Sequence, residues 1–141
     1  MRPSTKRKIE DILRDYPKVE TYIKLREEEL RFPHVEGDDN VGGGKLQNVR
    51  SEKALRTLIT IQEDNRLNTI RWQHDMIADR LEEAGEDTQT IIQELYFKKY
   101  PAYTLPGLVE NNMLHCGRHK AYELRNNFLK ELAETFGLYD F

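Results

Sequence analysis

Residues 104–129, TLPGLVENNMLHCGRHKAYELRNNFL, decide how this chain is interpreted, because they contain two helical patterns separated by a short connection. Thr104 is a residue type that commonly starts a helix, and apolar Leu105 and Leu108 follow it. A second helix is predicted to begin near Gly117. Its apolar residues recur at spacings of three and four and predict a buried face: Ala121, Leu124, Phe128 and Leu132. The stretch therefore predicts a helix-turn-helix.

The other face of this second helix carries donors that suit nucleic acid, namely Arg118, His119, Lys120, Tyr122 and Arg125. Residues 98–130 contain six basic residues and two acidic ones, a net charge of +4, whereas the whole chain has a net charge of −3. A positive helix-turn-helix on an acidic protein is the charge distribution expected of a DNA-binding domain. A packed helical hairpin with a solvated basic face is the alternative that the pattern leaves open.

Composition places the chain among helix-rich globular proteins. Its 141 residues, 33% charged and 38% hydrophobic, suit one domain or a DNA-binding module with an attached helical domain. The sequence lacks both an 18-residue apolar run and the apolar segment of a secretion signal, so we expect no membrane contact and a cytoplasmic location. Cys116 is the single cysteine, which excludes an intramolecular disulfide and favours a buried thiol.

The N-terminal half predicts helices joined by a long loop. Two helices are expected over residues 4–16 and 18–31 of an N-terminal segment 1–32, with Ser4 as a cap and Pro17 holding Tyr16 away from helical geometry. A loop rich in glycine and aspartate is predicted over 33–50. Its Gly-Gly-Gly-Lys run lacks the spacing of a phosphate-binding loop and predicts no nucleotide site.

The central part predicts one long helix over 51–84, capped by Ser51. A heptad-like seam runs through its second half: Leu67, Ile70, His74, Ile77, Leu81 and Ala84. The seam suits packing inside the monomer or against a second copy, and the pattern leaves both open. A further helix capped by Asp87 or Thr88 would support the helix-turn-helix in a C-terminal domain, residues 87–141. The predicted fold is all-α: N-terminal helices and a long central helix followed by a C-terminal three-helix helix-turn-helix domain.

Short motifs spread over nearly the whole chain resemble the RinA/ArpU-type transcriptional regulators of phages of low-GC Gram-positive bacteria. The matching pieces are Asp15-Tyr16-Pro17, Leu25-Arg26-Glu27-Glu28, Pro33, Asp38–Asn40 before Gly42-Gly43, Ser51 opening the long helix, Ile91–Lys99, and Leu132-Ala133-Glu134 closing with Gly137. The helix-turn-helix is similar to region 4 of bacterial sigma factors. The resemblance implies an activator of late phage genes, for packaging and structural proteins, that binds double-stranded DNA at a promoter and works with host RNA polymerase.

A small terminase subunit is the alternative function, since such proteins also join a helix-turn-helix to helical oligomerisation segments. A large ring in solution would favour the terminase, and a monomer or homodimer the regulator. Acidic side chains of the central helix suit either a polymerase contact or simple solvation. An enzyme is not expected, because the chain lacks motifs such as HExxH or GxSxG and its four histidines are scattered. No metal site and no cofactor are predicted.

Roles for the predicted DNA-binding residues follow from their positions. Arg118, Lys120 and Tyr122 lie near the start of the second helix and are expected to reach base edges. Arg125, His119 and Asn126 are expected to contact phosphates or flanking bases. Lys98, Lys99 and Tyr103 precede the first helix and are expected to hold the DNA backbone, which positions the protein without specifying sequence.

Overall fold

The computed structural model describes residues 1–32 and 46–138, and the side chains of 46–51 are not included in that description. These residues form α-helices with one 3₁₀-helix, one π-helix and no strand among them, so the predicted all-α class is confirmed. The elements are α1 (Pro3–Asp15), the 3₁₀-helix (Tyr16–Lys18), α2 (Val19–Arg31), α3 (Leu46–Glu63), α4 (Asn65–Glu83), α5 (Glu86–Ile92), the π-helix (Gln93–Phe97), α6 (Leu105–Glu110) and α7 (Arg118–Thr135). None of the described helices has both the length and the apolar character of a membrane span.

The prediction of a single helix over 51–84 is wrong, because the helix is interrupted at Asp64, between the end of α3 and the start of α4. The Asp64 carboxylate accepts a hydrogen bond of 2.9 Å from the backbone N–H of Leu67, which is how a side chain caps the first turn of a new helix. The guanidinium of Arg26 donates to the other oxygen of Asp64, also at 2.9 Å. Ser51 lies inside α3 and does not cap it.

Other predicted boundaries also shift. Residues 46–50 of the predicted loop are helical, and residues 33–45 lie outside the described part of the chain. The cap of α1 is Arg2, and Pro3 occupies the first turn, where its missing N–H has no effect on helix hydrogen bonding. Tyr16 keeps right-handed helical angles, φ −50° and ψ −46°, despite the following proline. Its ring stacks between His74 and Phe97, with centroids 4.8 and 4.7 Å away, which holds this conformation.

The chain divides into two compact units. We call Met1–Lys18 with Gln73–Phe141 the terminal unit, and Val19–Trp72 the middle unit. In the terminal unit α7 packs against α1, α5 and α6. Its larger core cluster contains Ile9, Leu13, Ile77, Ile92, Tyr96, Phe128, Leu129, Leu132 and Ala133. The predicted seam contributes Ile77 and Leu81 to this cluster, so that part of it packs within one chain.

A second, smaller apolar cluster of the terminal unit holds α6 against α7. Its buried residues are Ile91, Leu105, Leu108, Leu114 and Ala121. The π-helix between α5 and residue 98 widens the last turn and places Tyr96 in the larger cluster while Phe97 stacks on Tyr16. Single π turns of this kind accommodate an extra residue without breaking the helix. Leu95 of the π-helix packs against both clusters.

The middle unit contains α2, α3 and the first part of α4, and α2 packs on α3. Its polar contacts include the Arg26–Asp64 pair and an ion pair between Arg71 and Glu27. Ile61 and Leu67 are its buried apolar side chains among the described residues. The described part of this unit therefore has a much smaller core than the described part of the terminal unit.

Candidate nucleic-acid interface

Two short-range signals fix the ends of α6. Thr104 caps its start, since the hydroxyl oxygen accepts a hydrogen bond of 3.2 Å from the N–H of Gly107, as the sequence predicts. At its other end Asn112 has a positive φ of 56°, and the N–H of Met113 donates to the carbonyl of Leu108 at 3.0 Å. This is a Schellman-type ending, and asparagine tolerates the left-handed geometry better than other non-glycine residues. The chain then turns away toward α7.

The connection between α6 and α7 runs from Asn111 to Gly117 and is held from outside by Asp87. The Asp87 carboxylate accepts a hydrogen bond of 2.9 Å from the backbone N–H of His115. It does not cap α5 as predicted, because the N-cap of that helix is Gly85. Burial, followed by the hydrogen bond to Asp87, raises the pKa of Cys116, which packs against the smaller apolar cluster. Cys116 is half-buried rather than fully buried as predicted.

Helix α7 begins as predicted, with Gly117 as its N-cap. Ala121, Phe128 and Leu132 of the predicted face are buried, whereas Leu124 is half-buried and Leu129 is buried in addition. Arg118, His119 and Lys120 in the first turn are exposed. Arg118 and His119 make no hydrogen bond or ion pair within the described residues, while Lys120 lies 3.7 Å from the Glu123 carboxylate. The structure brings these three donors together on the first turn of one helix.

Tyr122 and Arg125 form a linked pair beside that turn. Both are half-buried, and the Arg125 guanidinium lies 5.1 Å from the centroid of the Tyr122 ring. Arg125 also donates to the side-chain oxygen of exposed Asn126, at 3.3 and 3.4 Å. Tyr122 packs against the smaller apolar cluster, so most of its ring is structural. Arg125 is held over the helix surface by two neighbours of its own helix.

The exposed face of α7 continues beyond the predicted residues. His119, Glu123, Asn126 and Lys130 are all exposed and follow one another at spacings of four, three and four. Glu123 and Lys130 are absent from the predicted set. Their positions were available from the sequence as the complement of the apolar stripe, since residues seven and eleven positions apart return to one face of a helix. Glu123 places a negative charge in the middle of this face.

Lys98 and Lys99 directly follow the π-helix. They line a cleft of about 280 Å³ together with Arg14 and Lys18. Lys98 is paired with Glu94 at 2.6 Å, and Lys99 lies 5.5 Å from the ring centroid of Tyr100. The cleft therefore gathers four cations from two distant parts of the sequence. Arg14 and Lys18 could not be predicted, because they come from the N-terminal segment.

Tyr96 lines this cleft and also belongs to the larger core cluster. Its ring is buried, its hydroxyl donates to the Glu10 carboxylate at 2.8 Å, and the Arg14 guanidinium lies 5.7 Å from the ring centroid. Burial, and then the hydrogen bond to Glu10, raise the pKa of Tyr96, while the charges of Arg125 and Arg14 act in the opposite direction. Tyr103, predicted to contact DNA, is half-buried against the cluster that holds α6.

These observations define a helical protein in which a short helix, α6, is followed by a long helix, α7, whose first turn is exposed and basic. The chain belongs to the family DUF722, described as proteins of unknown function, which matches residues 5–134. No curated protein and no solved structure matches it. Within the described residues, no group of three or more histidine, cysteine, aspartate or glutamate side chains is placed to hold a metal ion.

Proposed function

We propose that the protein is a sequence-specific DNA-binding regulator of transcription, in which α6 and α7 act as a helix-turn-helix and α7 enters the major groove. The observation that carries the proposal is the first turn of α7, where Arg118, His119 and Lys120 are exposed while the opposite face of the helix is buried. A recognition helix needs this combination, because its N-terminal residues reach the bases while its inner face packs on the domain.

The exposed donors divide into two kinds. Arg118 and Lys120 would read base edges, since the guanidinium and ammonium groups on the first turn can donate hydrogen bonds to the O6 and N7 acceptors of guanine. Tyr122 would contribute its ring edge and hold Arg125 in place. His119, Arg125 and Asn126 would contact phosphates or flanking bases, and Lys98, Lys99 and Tyr103 would contact the backbone.

The four-cation cleft widens the proposed backbone contact. Arg14 and Lys18 stand with Lys98 and Lys99 around one concave surface of the terminal unit, which is the unit that also contains α7. Phosphate contacts supply affinity that falls steeply with salt and carry little sequence information. This cleft would therefore strengthen binding to every DNA sequence about equally.

The resemblance to RinA/ArpU-type regulators supports a specific biological role. In this proposal the protein acts in the cytoplasm of a bacterial host, binds a promoter ahead of phage packaging and structural genes, and helps host RNA polymerase to start there. The purified protein should then enrich a single site from sheared prophage DNA, and the enrichment should persist at raised salt. Weak binding to all fragments that disappears with salt would contradict a sequence-specific regulator.

Two substitutions separate base reading from backbone contact. Arg118→Ala should relax sequence preference and lose about 1–3 kcal/mol of discrimination at one base pair. Lys98→Ala should weaken all sequences to a similar degree and reduce the salt dependence. Arg56→Ala is the matched control, since it removes an exposed arginine from α3 in the middle unit. Unchanged affinity and preference after Arg118→Ala would contradict the assignment of α7 as the recognition helix.

A further inference from the structure

The middle unit carries apolar side chains on its outside that the proposed DNA contact does not use. Leu55, Leu58 and Ile59 of α3 are 59, 50 and 43% exposed, and Phe32 after α2 is 78% exposed. Of the described side chains of α3, Ile61 alone is buried. A helix in solution normally buries its apolar residues, so this arrangement indicates a contact surface.

The exposed residues are spaced as in helices that pair with other helices. The exposed apolar residues of α2 are Tyr22 and Leu25, three positions apart, and Phe32 follows the helix seven positions after Leu25. On α3 the exposed apolar residues Leu58 and Ile59 lie three and four positions after exposed Leu55. Such intervals form the seam of a coiled coil or helical bundle. A groove of about 410 Å³, lined by Phe32, Ala54 and Leu58 among others, joins the two stripes.

We propose that this apolar face of α2 and α3 binds the same face of a second copy of the chain and forms a two-fold symmetric dimer. The proposal is independent of the DNA contact, since none of the residues assigned to DNA lies in the middle unit. It also differs from the predicted seam of α4, whose residues Ile77 and Leu81 pack inside one chain.

The area of the face agrees with a dimer. The exposed parts of Tyr22, Leu25, Phe32, Leu55, Leu58 and Ile59 together equal about three whole large apolar side chains, on the order of 600 Å² of apolar surface. A standard interface buries about 800 Å² on each partner, including a polar rim. The six side chains would therefore supply most of one partner's share.

The mixed charges around the face favour a second copy of the chain over a partner whose surface is uniformly acidic or uniformly basic. Arg31 and Lys53 line the groove, while Glu28 and Glu52 are exposed on the same two helices. None of these four makes an ion pair within the described residues. Two-fold symmetry presents the same set of charges from the opposite direction, so acids of one copy can meet bases of the other. A nucleic acid would require a uniformly basic face.

Light scattering of the full chain after gel filtration tests the proposal. The wild type should have a mass of about twice 16.7 kDa at high micromolar concentration. Leu58→Glu places a charge in the centre of the face and should raise the dimer dissociation constant at least tenfold. Thr60→Glu is the matched control, because Thr60 is exposed two positions away, about 200° around the same helix, and this variant should remain dimeric.

Three results would overturn the proposal: a wild type that is monomeric at this concentration, a ring larger than a dimer, or a Leu58→Glu variant that still dimerises. A ring would instead support the small terminase subunit. If Leu58→Glu loses helicity by circular dichroism, Leu25→Glu tests the same face from α2, where Leu25 is 50% exposed. Leu25→Glu with full helicity and an unchanged dimer would likewise contradict the proposal.

Discussion

The terminal and middle units are built from similar helices but are stabilised in different ways. Among the described residues, the terminal unit contains eight large side chains that are almost completely inaccessible, including Ile9, Ile92 and Leu129, whereas the middle unit contains one, Leu67. The middle unit instead has Arg26 paired with Asp64 and Arg71 paired with Glu27, and it leaves leucine and aromatic side chains exposed. Partly exposed ion pairs contribute little stability compared with buried apolar area.

This difference suggests a division of labour. A DNA-reading helix must be held rigidly, because a base contact depends on sub-ångström placement of its donors. A unit that exposes apolar surface and has a small core gains stability when it associates. In our proposals the terminal unit, with its larger core, would be the reading module, and the middle unit would be the association module.

Replacing a leucine by alanine in each unit should give the largest difference in the free energy of unfolding. Leu129→Ala removes a side chain that is 0% exposed in the larger core cluster and should lower the free energy of unfolding by about 3 kcal/mol. Leu55→Ala, on α3, should change it by less than about 0.5 kcal/mol. Urea denaturation in dilute solution, where self-association does not contribute, measures both. Equal losses of unfolding free energy for the two variants would show that the two units do not differ in how much their apolar side chains contribute to stability.

The second prediction concerns the polar contact at the edge of the larger core cluster. Tyr96→Phe removes the hydroxyl that donates to Glu10 at 2.8 Å and keeps the ring in the core, so the free energy of unfolding should fall by about 1–2 kcal/mol. Tyr103→Phe is the control, since its hydroxyl makes no hydrogen bond within the described residues. A loss as large as that of Leu129→Ala would mean that polar bonding dominates in the terminal unit as well.

Local sequence patterns predict the helices of the terminal unit well. The caps Thr104 and Gly117 and the apolar stripe of α7 are all short-range features, and the structure confirms both caps and three of the four predicted buried residues, with Leu124 half-buried. The break at Asp64 was missed, because a continuous apolar period hides a cap that also depends on Arg26, 38 positions away. Periodicity likewise shows that α3 has an apolar stripe but cannot show whether that stripe is buried.

The candidate site is predictable to the same degree. The exposed donors of α7 follow from helical spacing, because one buried stripe defines its opposite face. The four-cation cleft does not, since Arg14 and Lys18 reach Lys98 and Lys99 only through the packing of α1 on α7 and on the π-helix. Contacts between distant parts of a chain leave no periodic signal in a single sequence.

The third prediction tests how firmly the first helix of the proposed motif is held. Thr104→Ala removes the oxygen that accepts from Gly107 and should lower the free energy of unfolding by about 1 kcal/mol. Thr104→Ser keeps the acceptor and should retain most of the stability. Amide hydrogen exchange should show faster exchange in α6 after Thr104→Ala, with little change in α3 of the middle unit. Faster exchange throughout the molecule would mean that the cap supports more than α6.

The smallest predicted effect is a loss of order in the middle unit at acid pH. The hydrogen bond from Arg26, followed by that from the Leu67 N–H, lowers the pKa of Asp64 from its ordinary value of 3.8. Because the folded pKa lies below the unfolded one, the pair contributes its full stability above the unfolded value, and the contribution disappears as pH falls through the lowered folded pKa. Hydrogen exchange in α2 and α3 should therefore accelerate, relative to α7 and corrected for intrinsic rates, when the pH is lowered from about 6 to about 3.

Asp64→Asn is the control for that measurement, because its amide oxygen can still accept from Leu67 but carries no charge to titrate. In this variant α2 and α3 should exchange somewhat faster than in the wild type at neutral pH, and the difference should shrink below the ordinary aspartate pKa. If α7 instead opens at the same pH as α2 and α3 in the wild type, the two units share one cooperative transition. The ion pairs would then stabilise the whole chain, and the contrast between an apolar reading module and an ion-paired association module would not extend to their stability in acid.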